Sequence, residues 1–180
     1  MIFTVDELRQ YVTTDEEDQA LEAKLSALEL LIRAYTHNNF QQRAIRRMAD
    51  IAQGTMVMTD NPFKVGDTVQ VTESDFNDGL YTVTAADDAT ITVKESTFDE
   101  DDLYVTRVVY PMDVKMGAVN LMKWELGMRE KVGVASETIS RHSVTYESMT
   151  DDNSIMGYPK SLMGFLKPYM KARFGQGVRV

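Results

Sequence analysis

Hydrophobic and polar positions in the first part of the chain follow a helical period. Thr4 and Glu7 have the spacing of a capping box, in which each side chain bonds a free backbone N–H group at the start of a helix, so a short helix is predicted there. The same pattern at Thr14 and Glu17 predicts a second, longer helix. Apolar residues then recur at steps of four and three along one helix face: Leu21, Leu25, Leu28, Ile32 and Tyr35.

Between residues 41 and 110 the hydrophobic period changes from helical to strand-like. Apolar residues alternate with polar neighbours in three short runs: Val69 and Val71, Tyr81 and Val83, and Ile91 and Val93. Asn77-Asp78-Gly79 has the composition of a turn between the first two runs. Residues 43–58 fit neither period cleanly, and strands are the favoured interpretation there. The sequence therefore predicts a small antiparallel β domain.

Helical periodicity returns after Pro111, a residue type favoured in the first turn of a helix. The predicted apolar face consists of Val114, Ala118, Leu121, Met122 and Met128. Residues 136–147 have the composition of a polar strand, which either pairs with the β segment of the same chain or extends the sheet of a neighbouring molecule. Pro159 begins a predicted terminal amphipathic helix, which Pro168 should kink or divide.

These elements predict an α+β fold with a helical core. Because two helices precede the β segment and one follows it, the simplest architecture is a helical core that carries an inserted small antiparallel β domain. Residues 1–40 and 111–132 would form the core and residues 41–110 the insert. Residues 133–180 would form a C-terminal arm made of a strand, a short amphipathic helix and a basic tail.

Composition and charge narrow the classes of function. The formal net charge of −9 should repel nucleic acid and anionic membranes, so a general DNA-binding protein is not expected. The chain has no cysteine, which excludes disulfides, zinc–thiolate sites and thiol nucleophiles. Neither a signal peptide nor a membrane-spanning apolar run is recognisable, so we expect a soluble, unexported protein made in the cytoplasm.

Residues with catalytic or ligand-binding chemistry form no recognisable motif. The two histidines, His37 and His142, are best explained as part of a helix-ending turn and as a polar side chain of an exposed strand. The stretch Asp75–Gly79 resembles the start of a calcium loop, but its glycine comes at position five instead of six, and a hairpin turn fits better. Gly-rich phosphate-binding loops are also missing from the sequence. We predict no enzyme activity, cofactor or metal site.

Several segments carry a resemblance to a known family. They are Phe3–Tyr11, Ala34–Thr36 with Asn39–Phe40, Pro111–Lys115, Arg129–Glu130, and Gly157–Lys160 with Leu162–Arg173. In these segments, which cover about half of the chain, it resembles the head-to-tail connector proteins (head completion or DNA-packaging adaptor proteins) of long-tailed phages. Simpler members of that family are nearly all helical, so the predicted β insert departs from their pattern.

The resemblance implies a structural subunit of the virion neck, synthesised in the cytoplasm of the host bacterium. A ring of about a dozen copies would dock beneath the portal protein, complete the head and receive a tail-completion or stopper protein. The C-terminal arm would bind the portal or a neighbouring subunit through Ile139, Val144, Tyr146, Phe165, Leu166 and Tyr169. The acids Glu16, Glu17 and Asp18 would line the lumen and let DNA slide past without sticking.

The alternative class is a binding module. In that interpretation the small β domain recognises a protein or a carbohydrate, and the helices only present it. Association with phage particles separates the two hypotheses. An enzyme ranks last, because the sequence offers no reaction class to test.

Overall fold

A computed structural model describes residues 1–129, 136–139, 142–145, 150 and 152–172 of the chain. The chain divides into two compact units. The first unit consists of Met1–Ile2 and Asn38–Tyr110, and the second consists of Phe3–His37 and Pro111–Val180.

Six antiparallel strands close into a barrel in the first unit. They are β1 (Gln41–Ala52), β2 (Thr55–Met58), β3 (Thr68–Thr72), β4 (Gly79–Ala86), β5 (Thr90–Val93) and β6 (Glu100–Val108). Their order around the barrel is β1-β2-β5-β4-β3-β6, and β6 pairs again with β1. Since neighbouring strands alternate in direction, the β1–β2, β3–β4 and β5–β6 loops lie together at one end of the barrel. We call this end the distal end. The start of β1 and the end of β6 lie at the opposite end of the barrel.

Alternating side chains of the strands fill the barrel interior. This core is made of Ala49, Ile51, Met56, Met58, Phe63, Val69, Val71, Tyr81, Val83, Ile91, Val93, Leu103 and Val105. Burying one such aliphatic side chain contributes about 1.5–3 kcal/mol relative to leaving it in water. The barrel thus has a hydrophobic core of its own. The predicted alternation in β3, β4 and β5 and the strands in residues 43–58 are confirmed. The predicted pairing of β3 with β4 is also confirmed, but residues 73–78 connect them, and Gly79 of the predicted turn is the first residue of β4.

The expected fold class is wrong. The chain is mostly a closed six-stranded antiparallel barrel with a few helices, and not a helical core with a small β insert. The β part looked small because its two longest strands are hard to recognise. β1 shifts register between Gln41 and Arg46, and such a bulge interrupts the alternation of apolar residues. β6 begins in the acidic run Glu100–Asp102, which has the composition of a loop.

The second unit begins with two helices, α1 (Val5–Arg9) and α2 (Asp18–Thr36). The capping box of α1 is confirmed: the Glu7 N–H donates to the Thr4 hydroxyl at 3.1 Å, and the Thr4 N–H donates to the Glu7 carboxylate at 2.9 Å. The predicted box at the start of α2 is wrong. The Thr14 hydroxyl accepts instead from the Glu16 N–H at 3.2 Å, which forms a turn before the helix.

Buried faces of α2 and of α3 (Met112–Met128) follow the predicted pattern. Leu21, Leu25, Leu28 and Ile32 are buried on α2, and Val114, Ala118, Leu121 and Met122 are buried on α3, whereas Met128 is exposed. His37 ends α2 in the left-handed conformation with φ 49°, which matches its expected place in a helix-ending turn.

The C-terminal segment has two paired strands where one was predicted, and the terminal helix predicted to begin at Pro159 is present as a 3-10 helix. Residues 136–147 hold two short strands, β7 (Ser136–Ile139) and β8 (His142–Thr145), which pair with each other as a hairpin. A second hairpin, β9 (Ser154–Ile155) with β10 (Tyr158–Pro159), precedes a 3-10 helix at Lys160–Tyr169. That helix buries Met163 and Leu166 and ends directly after Pro168, so it belongs to the core of its unit.

Candidate protein-binding surface at the distal end of the barrel

Two phenylalanines stand in solvent at the distal end of the barrel. Phe76 lies in the β3–β4 loop and is 72% exposed, and Phe98 lies in the β5–β6 loop and is 67% exposed. They are the most exposed aromatic residues of the described part of the chain. Their ring centroids are 6.3 Å apart and the rings are tilted by 60°. Exposed aromatic residues in contact with each other are typical of protein-binding sites.

The buried side chain of Asn77 fixes the two loops to each other. Asn77 is 1% exposed. Its Oδ1 accepts from the Phe98 N–H at 2.8 Å, and its Nδ2 donates to the Phe98 carbonyl at 3.1 Å. A single amide therefore satisfies both backbone polar groups of Phe98. Because Asn77 directly follows Phe76, this pair of hydrogen bonds sets the separation of the two phenylalanines.

The Glu100 carboxylate organises the β3–β4 loop from below. It accepts from the Ser74 hydroxyl at 2.5 Å, from the Asp75 N–H at 2.6 Å and from Asn77 Nδ2 at 2.7 Å. The hydrogen bond from Ser74 is the main reason why the pKa of Glu100 lies below its usual value, although desolvation acts in the opposite direction. The carboxylate is therefore held in its charged form, as a fixed acceptor beneath the Phe76 backbone.

Tyr81 connects this loop to the barrel wall. Its hydroxyl donates to the Asn77 carbonyl at 2.9 Å, and its ring is part of the barrel core. Burial raises the pKa of Tyr81, and the charges of Glu95, Asp78 and Glu100 raise it further. The phenol consequently stays protonated and remains a donor at neutral pH.

Acidic residues surround the two phenylalanines. Exposed carboxylates on the distal loops and the start of β6 belong to Glu73, Asp75, Asp78, Glu95, Asp99, Asp101 and Asp102. Glu73 forms an ion pair with Arg46 at 2.7 Å. Within residues 73–78 and 94–102, Lys94 is the single basic residue. We call this acidic surrounding together with Phe76 and Phe98 the phenylalanine pair surface. It combines a rigid apolar centre with a negative rim.

The sequence-predicted anchors of the C-terminal arm lie in different environments. Leu166 is buried, the Phe165 ring packs on Gly117 of α3, and the Tyr169 hydroxyl donates to Asp113 at 2.7 Å. Ile139 and Val144 lie in β7 and β8, where only the backbone pairing is described. Tyr146 lies outside the described residues. The role of the arm in binding a partner stays a prediction.

The three acids predicted to face the lumen lie at the start of α2. Asp18 forms an ion pair with Arg9 at 2.6 Å, and Glu16 forms one with Lys24. Glu17 is the N-cap residue of α2 and makes no capping hydrogen bond with its side chain. Two of the three charges are thus partly neutralised within the chain. Their position in a lumen stays a prediction.

Phe76 and Phe98 were not recognised as functional residues from the sequence. Each is a large apolar residue in an acidic, turn-forming stretch, Asp75-Phe76-Asn77-Asp78 and Thr97-Phe98-Asp99-Glu100, and that mismatch is the signal that sequence reasoning could have used. Their proximity is not visible in the sequence, because it arises only when the barrel closes.

Other kinds of site find no support in the described part of the chain. There, no three His, Cys, Asp or Glu side chains come together as they would around a metal ion. His37 is exposed at the end of α2, and the side chain of His142 is not described. None of the helices in the described ranges is both long and apolar enough to cross a membrane.

No protein-family model and no curated protein matches this chain. Its class is therefore defined by its own structure, as a closed antiparallel barrel whose distal end presents a hydrogen-bonded aromatic pair in an acidic rim. The kinship with phage head-to-tail connectors stays a prediction from the sequence.

Proposed function

We propose that this protein is a non-catalytic structural subunit that assembles with copies of itself and with other proteins, as a head-to-tail connector below the portal of a long-tailed phage. The observation that carries the proposal is the exposed pair Phe76 and Phe98, whose loops are joined by hydrogen bonds. Two aromatic rings kept in water cost free energy, and a subunit that assembles recovers it when a partner covers them.

The hydrogen bonds beneath the pair favour protein binding over an accidental exposure. Interfaces derive most of their free energy from a few central residues, and aromatic residues are frequent among them. Ordering a loop on binding costs free energy. Asn77 and Glu100 hold both loops in place in the chain by itself. The loops are therefore already ordered before a partner binds, and little free energy is lost in ordering them on binding.

The acidic charge fits a protein that works close to DNA without holding it. The net charge of −9 repels phosphate, and salt screens this repulsion only beyond about 8–10 Å. In a connector ring, acidic surfaces near the channel would let DNA pass. Glu16, Glu17 and Asp18 would add to the same effect if they face the lumen.

Cosedimentation with phage heads tests the proposal. Purified full-length chain is incubated with tail-less, DNA-filled heads of the phage that encodes it, the heads are sedimented, and the bound chain is quantified. We expect saturable binding at about a dozen copies per head, as a closed ring requires. Full-length chain that fails to cosediment at any concentration would refute the connector function.

Matched variants connect this binding to the phenylalanine pair. The double substitution Phe76→Ser with Phe98→Ser should strongly reduce the number of copies per head. Val65→Ser is the control, because Val65 is 64% exposed in the β2–β3 loop at the other end of the barrel. This control should bind like the unaltered chain. Equal binding by all three proteins would assign the assembly to another surface.

A carbohydrate-binding module is the second candidate, since exposed aromatic rings beside carboxylates also occur where sugars stack. The 60° tilt between the Phe76 and Phe98 rings weighs against it, because the two rings do not form one flat platform. Binding to a glycan array that the double phenylalanine variant abolishes would favour this candidate.

A further inference from the structure

The chain carries a second surface whose shape and charge complement the phenylalanine pair surface. We infer that Phe76 and Phe98 of one copy insert into a groove between α3 and the 3-10 helix of another copy. This inference deepens the proposed function, on which it rests for the closure of a ring.

The groove is an open hollow of about 350 Å³, lined by Asp113, Met116, Gly117, Asn120, Ser161, Leu162 and Phe165. Gly117 has no side chain, so the Phe165 ring lies directly on the α3 backbone and forms the floor. Met116 and Leu162 supply apolar walls. Asn120 and Ser161 add polar groups at the edge, which can bond the backbone of an incoming loop.

The groove has the size for the pair. A cavity of roughly 150 Å³ accommodates one benzene molecule, so about 350 Å³ has room for two phenyl rings. Met112 and Met116 are both exposed beside it. Methionine side chains adapt their shape easily and are common at binding surfaces.

The groove lining has no basic residue, and the charge opposite to that around the phenylalanines lies beside the groove. Lys160, Lys167 and Lys171 are exposed on and next to the 3-10 helix, and residues 160–172 contain no acidic residue. Asp113 is the one acid of the lining, and its carboxylate accepts the Tyr169 hydroxyl at 2.7 Å. Three lysines can therefore face the carboxylates of Asp75, Asp78 and Asp99 in a neighbouring copy. Such complementarity speeds association and selects the partner.

The two surfaces are different parts of the same chain, so the contact is heterologous. Each copy that offers its phenylalanines still has a free groove, and the series continues until a rotation closes it into a ring. Pairing of two phenylalanine surfaces with each other is disfavoured, because their acidic rims repel. The geometry thus favours head-to-tail association over a symmetric dimer.

Sedimentation velocity on the full-length chain tests the contact. The chain should form oligomers as its concentration rises. The association should weaken when salt is raised from low to high ionic strength, because the acidic rim attracts the lysines beside the groove through charge. The double substitution Phe76→Ser with Phe98→Ser removes the two rings that would enter the groove. Met116→Gln with Leu162→Gln makes the groove polar at similar volume. Each double variant alone should lose at least about tenfold in association constant, as expected for central interface residues.

Mixing the two double variants distinguishes this contact from general loss of self-association. One variant keeps an intact groove and the other keeps intact phenylalanines, so an equimolar mixture should form a one-to-one dimer and nothing larger. Val65→Ser is the matched control and should oligomerise like the unaltered chain. Circular dichroism of every variant checks that the fold is kept.

Three results would overturn the inference: an unaltered chain that stays monomeric at all concentrations, a phenylalanine variant that oligomerises normally, or a mixture that forms no dimer. These results leave the connector function separately measurable. A chain that cosediments with heads but does not self-associate refutes the contact alone, whereas a chain that oligomerises without binding heads refutes the connector function alone.

Discussion

At the scale of single residues, Asn77 determines the geometry of the phenylalanine pair. Its buried side-chain amide in the β3–β4 loop bonds the backbone C=O and N–H of Phe98 in the β5–β6 loop. Its second hydrogen-bonding role, as a donor to Glu100, ties the same amide to the start of β6. A small change at this position should therefore alter both loops at once.

Asn77→Ala should lower the free energy of unfolding by about 1–3 kcal/mol, because the backbone N–H and C=O of Phe98 lose their partner. Urea denaturation measures the change. Asp101→Asn is the control, since Asp101 is exposed at the same end of the barrel, and its substitution should alter stability by less than about 0.5 kcal/mol. Equal stabilities for Asn77→Ala and the unaltered chain would mean that the amide does not hold the loops.

Tyr158 lies in an aromatic and charged cluster at the end of α3, and its pKa is raised. Its ring lies 5.3 Å from the Trp124 ring and 4.7 Å from the Arg129 guanidinium. Arg129 also bonds Glu125 at 2.9 Å and the Gly157 carbonyl at 2.7 Å. Burial, followed by a hydrogen bond with Glu125, raises the pKa of Tyr158 to about 12. The cluster connects the β9–β10 hairpin to the end of α3.

The raised pKa predicts a loss of stability in alkali. In the unfolded chain this phenol ionises near its ordinary pKa of 10, whereas in the folded chain it keeps its proton until about 12. The contribution of Tyr158 is therefore complete below pH 10 and is lost as the pH rises towards 12. Tyr158→Phe should show a smaller decrease in melting temperature over that range. Identical pH profiles for the two proteins would contradict this assignment.

At the scale of elements, the packing of the 3-10 helix on α3 depends on one glycine. An ideal Cβ at Gly117 would lie 2.4 Å from three carbons of the Phe165 ring. Such a distance is far below van der Waals contact, so the ring would have to move. The contact explains why α3 keeps a glycine in its middle, although glycine destabilises a helix interior by about 0.5–1 kcal/mol relative to alanine.

The effect of Gly117→Ala on stability should change sign when Phe165 is replaced by alanine. In the unaltered chain the new methyl group collides with the Phe165 ring, and we expect destabilisation of about 1–3 kcal/mol. In a Phe165→Ala background the collision is gone, and the same substitution should stabilise the chain by about 0.5–1 kcal/mol through helix propensity. Urea denaturation of the unaltered chain, the two single variants and the double variant measures this double-mutant cycle. The same sign in both backgrounds would disprove the collision.

Elements with a regular period were predictable from the sequence, and elements that depend on tertiary contacts were not. The capping box at Thr4 and the faces of α2 and α3 are local, so the sequence contains their whole signal. The register shift in β1 interrupts the strand period, and the apolar pattern of Lys160–Tyr169 did not distinguish a 3-10 helix from an α-helix. The connection between β3 and β4 was predicted near Asn77, while the meeting of Phe76 with Phe98 depends on closure of the barrel and was missed.

At the scale of the whole molecule, the barrel contains a complete hydrophobic core. Ile51, Met56, Val69, Ile91 and Leu103 are almost fully removed from solvent inside it. The backbone also closes near its ends, where the Val109 N–H donates to the Phe40 carbonyl at 2.9 Å and the Phe40 and Tyr110 rings lie 4.9 Å apart. These features are what a stretch of chain needs to fold by itself.

The fragment Asn38–Tyr110 should therefore fold alone. We expect a dispersed amide NMR spectrum and one cooperative unfolding transition. Ile91→Ala within the fragment should reduce its stability by about 2–5 kcal/mol, since Ile91 is 0% exposed. Thr84→Ala at an exposed position of β4 is the control. A fragment with a random-coil spectrum would show that the barrel core is insufficient.

Closure of the barrel also has a consequence for crowding. A sheet with open edges presents rows of free N–H and C=O groups, and such edges are the usual start of fibrillar aggregation. In this barrel β1 pairs with β6, so each of the six strands has a neighbour on both sides. The barrels of many copies can then stand side by side at a very high local concentration without merging their sheets, and side-chain surfaces decide which barrels adhere.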